Sequence, residues 1–288
     1  MLNWGNFVSQ LFNGLVSGAL LALISAGLTI VYGTLGVLNL AHGALFMLGG
    51  YAGFVAFQAT GNFFIAVVVG AAFVGIVGIV IERLIVRFFY NRPEEDQILV
   101  TFGIGIVIVE LVRAGFGSLS QMVTAPVVVS PIINLGFTIY PEYRLVAFGI
   151  VVVALAALYI LLYRTRLGMV VRAGIEDATM VDMLGINIQR TFMIVFGIGA
   201  MAAGFAGIIN APIISITPNV GDDILIECFV VVVIGGVGSF PGAIVGGIIA
   251  GEIMSLTSMF NPQLSQVMLF AVMALVLIAR PQGLFGTR

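Results

Sequence analysis

Apolar runs long enough to cross a bilayer recur along this chain, and the polar stretches between them are short. A bilayer core takes about 20 helical residues at 1.5 Å rise each. Runs of that size cover 9–32, 36–57, 63–81, 98–117, 144–163 and 191–213, followed by an overlong one at 226–258 and a shorter one at 263–279. In lipid every backbone N–H and C=O needs a partner within its own segment or a closed barrel. The expected fold class is therefore all-α, a polytopic membrane bundle of eight hydrophobic segments. Charged residues make up 8% of the 288, against about 25% in a soluble domain. No polar stretch can hold a soluble domain, so one transmembrane domain over residues 1–288 is expected. The start, MLNWGNFVSQ, lacks a positive n-region, and no A-x-A site follows the first run, which reads as a retained span.

The charged residues present exclude several chemistries. All 11 basic residues are Arg, so there is no P-loop lysine, Schiff-base lysine or lysine general base. One His and one Cys, His42 and Cys228, cannot make a self-contained metal site or an internal disulfide. A formal net charge of −2 provides no basic surface for nucleic acid. The expectation is a chain that is no enzyme and carries no cofactor or metal of its own.

Arg placement orients the spans, because cytoplasmic loops are enriched in basic residues. Stretch 82–97 has Arg83, Arg87 and Arg92; stretch 164–190 has Arg164, Arg166, Arg172 and Arg190; the tail has Arg280 and Arg288. These read as cytoplasmic. Stretches 118–143 and 214–225 hold no Arg, the second carries Asp222 and Asp223, and both read as external. A single crossing by 226–258 would put the tail on the wrong side. Residues 235–242, GGVGSFPG, hold four glycines and a proline, which cannot continue an ordinary helix. Either the chain turns there and returns to its own side, as the charge bias favours, or one kinked span packs closely through small residues.

Residues 164–190 form the longest stretch written for water beside the spans. Within them the pattern predicts a short helix from Ile175 to Leu184, stopped by Gly185 in the left-handed C′ position. Met180, Met183 and Leu184 fall at helical spacing, with Asp177 and Asp182 on the wet side. Such a helix either lies at the headgroups or docks on a cytoplasmic partner. Asn39 and His42 stand in otherwise apolar sequence, where polar groups either tie helices together or line a path. Glu110 and Arg113, at i, i+3, can pair along one helix face.

Four stretches, taken in order, resemble one family. GLTIVYG at 27–33 with NLAHG at 39–43 is similar to the amino half of the permease subunits of branched-chain amino-acid ABC importers. EDATMVDMLGIN at 176–187 resembles their ATPase-docking segment, IGGVGSFPGA at 234–243 their late glycine-rich signature, and ARPQGLFG at 279–286 their C-terminal ending. The resemblance runs collinearly from about residue 10 to residue 286, and relatives carrying urea, short amides or other small amino acids share these motifs. It implies a half-pore in a bacterial-type cytoplasmic (inner) membrane, paired with a second related permease. Two cytoplasmic ATPase subunits, which bind the ATP and Mg, and an extracytoplasmic solute-binding protein would complete the machine. Glu176, Asp177, Met180, Met183, Leu184 and Gly185 would couple to the ATPase. Asn39, His42, Gly43, Gly236, Gly238, Ser239 and Pro241 would line the path. The rival class is a secondary transporter or channel needing no ATPase, for which Glu110 is the one deep acid.

Overall fold

The computed structural model describes residues 4–126, 132–134 and 139–286. Ten α-helices dominate the described residues: α1 (Trp4–Leu35), α2 (His42–Thr60), α3 (Phe63–Leu84), α4 (Glu94–Phe116), α5 (Glu142–Arg164), α6 (Arg166–Met183), α7 (Ile188–Asn210), α8 (Val220–Gly235), α9 (Phe240–Ser258) and α10 (Ser265–Ala279). Two-residue strands at Ile133–Asn134 and Ile139–Tyr140 pair before α5. Eight helical stretches among the described residues are long and apolar enough to cross a membrane, which makes this a multi-pass membrane protein. The exceptions are α6, which is the polar segment, and α8, which is short at 16 residues.

The axis of the bundle is α1. Helices α9 and α7 pack along its length, and α5 and α8 close its remaining sides. Its middle, from Gly18 to Val31, is buried without interruption. Glycine makes this density possible, since a helix pair can close to backbone contact only where no side chain intervenes. A Cβ on Gly27 would stand 2.8 Å from the Gly199 carbonyl oxygen, and one on Gly199 2.8 Å from that of Gly27.

The helix pairings fall into two matching sets. Helix α3 lies along α7 as α9 lies along α1; α2 pairs with α3 as α8 pairs with α9; α2 and α4 touch, as do α8 and α10. Gly43 at the start of α2 and Gly221 at the start of α8 face each other backbone to backbone. In the sequence only glycine-rich runs echo between the halves, and they do not establish a repeat.

Three boundaries differ from expectation. Helix α8 begins at Val220, so Asp222 and Asp223 sit in its first turn rather than in a loop, where carboxylates suit the positive end of a helix dipole. Residues 94–97 belong to α4, with Glu94, Glu95 and Asp96 in its first turn. The single helix predicted from Ile175 to Leu184 is the end of α6, interrupted at Asp177, whose backbone leaves the helical region (φ −154°, ψ 96°). The carboxylate explains this break: Asp177 Oδ1 accepts the Met180 N–H at 2.9 Å, so Asp177 caps a new turn instead of lying on a wet helix face.

Candidate coupling and translocation site

At the Arg-rich end, α6 hangs from the bundle by few contacts. Gly168 packs on the Leu162 carbonyl, the Arg172 guanidinium donates to the same carbonyl, and Val171 and Gly174 are buried. Beyond Asp177, Val181 is buried at 4% exposure, while Met180, Met183 and Leu184 are 55%, 77% and 73% exposed. The final turn closes as a Schellman motif: the Gly185 N–H donates to the Asp182 carbonyl and the Ile186 N–H to that of Val181. Gly185 takes φ +80°, a left-handed conformation that glycine accepts without penalty. The end of α6 is thus complete in hydrogen bonds yet presents three large apolar side chains to solvent. Glu176 and Asp182 are exposed beside them.

The chain reverses at 236–239. Gly235 lies against Gly242 and Gly246 against the Val231 carbonyl, so α8 and α9 are antiparallel and do not form one kinked span. Gly236 (φ +103°) and Gly238 (φ +81°) supply the reversal. Ser239 caps α9 by accepting the Gly242 N–H at 3.1 Å, and Pro241 stands in the first turn, where its missing N–H costs nothing. The last carbonyls of α8 would be orphaned, but the tail completes them: the Leu284 N–H donates to Ile234 O and the Phe285 N–H to Gly235 O, each at 2.9 Å. Gly283 packs on Gly236. The glycine-rich signature and the C-terminal motif, separated in sequence by α9 and α10, form one junction. Arg288 lies outside the described residues.

Asn39 and His42 sit at the break between α1 and α2. Asn39 Oδ1 accepts the Ala41 N–H at 3.1 Å, and His42 Nε2 lies 2.9 Å from the Ile24 carbonyl, tying the start of α2 to the middle of α1. Both are buried, and His42 Nδ1 has no partner among the described residues. Sequence reasoning missed Thr101 on α4. Its Oγ1 accepts the Leu40 N–H at 3.1 Å, and its single proton is shared among the carbonyls of Gln97 (2.9 Å), Leu38 (3.1 Å) and Ile98 (3.2 Å), so the hydroxyl holds the unwound 38–40 backbone against α4. A lone Thr in an apolar run carries no signal of this. Gly43 faces Gly221 rather than a cavity.

A cavity of about 200 Å³ joins the two regions. Thr29, Gly33 and Thr34 of α1, Arg172 and Ile175 of α6, and Gly238 of the reversal line it. The cavity lies between α6 and the reversal. The remaining intramembrane ion pair is peripheral: Glu110 bonds Arg113 near the far end of α4, both partly exposed, and Arg113 also donates to Asn219 Oδ1 at 2.9 Å. Opposite the Arg-rich end, Asn13 Oδ1 accepts from Tyr140 Oη and from the Arg144 guanidinium, holding α5 to α1.

The family described as Branched-chain amino acid transport system / permease component matches residues 10–277. The high-affinity branched-chain amino acid transport system permease protein LivH of Escherichia coli (strain K12) is 33% identical over 295 residues, covering 97% of this chain and 96% of LivH. BraD, the corresponding permease protein of Pseudomonas aeruginosa, is 28% identical over 299 residues, covering 98% and 96%. A probable branched-chain amino acid transport permease protein of Methanocaldococcus jannaschii is 28% identical over 282 residues, covering 93% and 89%. No solved structure matches.

Proposed function

The chain belongs to the branched-chain amino acid transport system permease component family, and on that premise we propose that it is one membrane domain, half of the pore of an ATP-driven importer of branched-chain amino acids. The Arg-rich end faces the cytoplasm of a bacterial-type inner membrane, in keeping with basic enrichment of cytoplasmic loops. A second, related permease supplies the other half-pore. Two cytoplasmic ATPase subunits bind ATP and Mg, and an extracytoplasmic solute-binding protein delivers cargo. A chain without lysine cannot itself hold a P-loop nucleotide, so the energy comes from those partners.

The observation that carries the reading is the exposed apolar trio Met180, Met183 and Leu184 on a turn whose backbone is already satisfied. Water is a poor solvent for such a face, and an amphipathic turn of this kind suits a partner's groove. Asp177 breaks α6 and caps the turn, Gly185 ends it, and the exposed Glu176 completes the contact beside them. Closure of the ATPase dimer pushes this turn as a lever. The push passes through the Arg172 tie to α5 and across the cavity to the Gly236–Pro241 reversal. Asn39, His42 and Gly43 hold the opposing break, and cargo crosses between the two breaks as the bundle switches between outward and inward openings.

Leu184→Asp tests this. A buried Leu contributes about 1.5–3 kcal/mol, so its loss, with a charge added, weakens assembly by more than about tenfold. The expected result is a permease that reaches the membrane but no longer co-purifies the ATPase. Stoichiometric ATPase with normal transport would show that the turn only lies on the membrane.

A further inference from the structure

The Arg-rich end holds a second feature that coupling does not use. A cleft of about 270 Å³ opens between the end of α3 and the start of α7, lined by Glu82, Arg83, Arg87, Asn187, Gln189 and Arg190. Three guanidiniums share this space, and among the described residues none makes a salt bridge or a side-chain hydrogen bond. Arg87 lies over the Phe88 ring, 4.6 Å from its centroid. Glu82 is the one carboxylate in the wall and is already engaged: it is 2% exposed, and its Oε1 accepts from Tyr90 Oη at 2.5 Å. Burial and that bond push the Tyr90 phenol well above its ordinary range, so it stays a donor. Charging Arg87 against Glu82 leaves Arg83 and Arg190 uncompensated. Asn187 Oδ1 is occupied by the Arg190 N–H at 2.9 Å, which leaves its amide nitrogen as a donor beside Gln189.

The other well-placed Arg residues show what is missing here. Arg113 has Glu110 and Asn219, Arg144 has Asn13, and Arg172 has the Leu162 carbonyl. Beside the engaged Glu82 carboxylate and the Gln189 amide oxygen, the cleft is a set of donors. Guanidinium forks match phosphate oxygens in pairs, and the location narrows the source of phosphate. Span α3 ends at Leu84 and span α7 starts at Ile188, so the cleft lies where the apolar zone gives way to water. Leu84 and Phe88 beside it are 65% and 61% exposed, an apolar flank suited to acyl chains.

We propose that this cleft binds the phosphodiester headgroup of an anionic lipid, with Arg83 and Arg190 gripping the phosphate and Leu84 and Phe88 against the acyl chains. The inference goes beyond the transport reading and is independent of the cargo.

The test uses the purified, delipidated full complex offered mixed micelles of phosphatidylglycerol and phosphatidylcholine in equal amounts, with retained lipid counted by native mass spectrometry. Wild type is expected to retain phosphatidylglycerol preferentially. Arg83→Gln with Arg190→Gln should lower that preference roughly thirtyfold, as two guanidiniums at an anionic surface imply. Arg83→Lys with Arg190→Lys, which keeps the charge, should recover part of it and rules out misfolding as the cause. Arg280→Gln, at the tail, should leave it unchanged. No preference in wild type, or an unchanged preference in the double Gln variant, overturns the site. Displacement of the lipid by inorganic phosphate at constant ionic strength would assign the cleft to free phosphate instead. Loss of the ATPase together with the lipid would make the cleft a protein contact.

Discussion

Glycine does two different jobs in two regions of this protein. In the seam where the bundle helices close on one another it is there for what it lacks. Gly43 and Gly221, Gly27 and Gly199, and Gly49 and Gly204 bring backbone against backbone, and any Cβ would fall inside a neighbour's van der Waals shell. None of these has an unusual φ. In the coupling segment a Cβ on Gly185 would meet nothing within 4 Å, yet the residue takes φ +80°. The first region needs an absent side chain and the second needs a backbone angle. Composition counts 37 glycines alike and cannot separate these needs.

The contrast is sharpest at Gly43. Gly43→Ala sets a methyl against the Gly221 backbone, which has no rotamer to yield, so the cost should exceed about 4 kcal/mol, the exceptional class for single substitutions. Loss of folded, monodisperse protein in detergent is the expected result; a stable Gly43→Ala protein would show that α2 and α8 do not meet in this way. Gly185→Val should fold, because space is free, but lose about 1–2 kcal/mol to the left-handed angle and weaken ATPase binding. Gly185→Asn should restore most of that binding, since Asn tolerates the angle, whereas Asn at position 43 should behave no better than Ala. Equal behaviour of Val and Asn at 185 would mean that space rather than angle governs the segment.

His42 tests the middle ground. His42→Leu removes one interhelical hydrogen bond, worth about 0.6 kcal/mol on average in membranes, and also removes the unpartnered Nδ1. Thermal stability and assembly should therefore change little while transport falls. Full transport by His42→Leu would take the residue off the path. The smallest effect is expected of Asp182→Asn: the side chain is exposed and its backbone carbonyl, not its carboxylate, holds the turn, so ATPase binding should stay within about 0.5 kcal/mol of wild type.

The spans and the all-α class could be read directly from the chain, because hydrocarbon imposes one rule on every residue it touches. The break at 235–242 and the stop at Gly185 were also legible, since glycine and proline act on their own backbone. What escaped is of another kind. The Asp177 break depends on a carboxylate preferring a local amide to water. Thr101 matters only because Leu38 and Leu40 happen to lie beside α4. The meeting of the tail with Gly236, and of Gly43 with Gly221, joins residues whose own neighbourhoods say nothing about each other.

By itself, then, the sequence determined what each segment must be: apolar helix, Arg-bearing connection, glycine break, exposed apolar turn. These follow from solvation and from local backbone sterics, which act within a few residues. Only the tertiary structure decided how the segments face one another: α1 at the axis, unwound backbone held by Thr101 and completed by the tail, and three guanidiniums gathered in one cleft whose carboxylate is already engaged. Those arrangements depend on shape and on hydrogen-bond partners brought together from distant positions, and a hydropathy pattern is equally satisfied by many packings of the same helices.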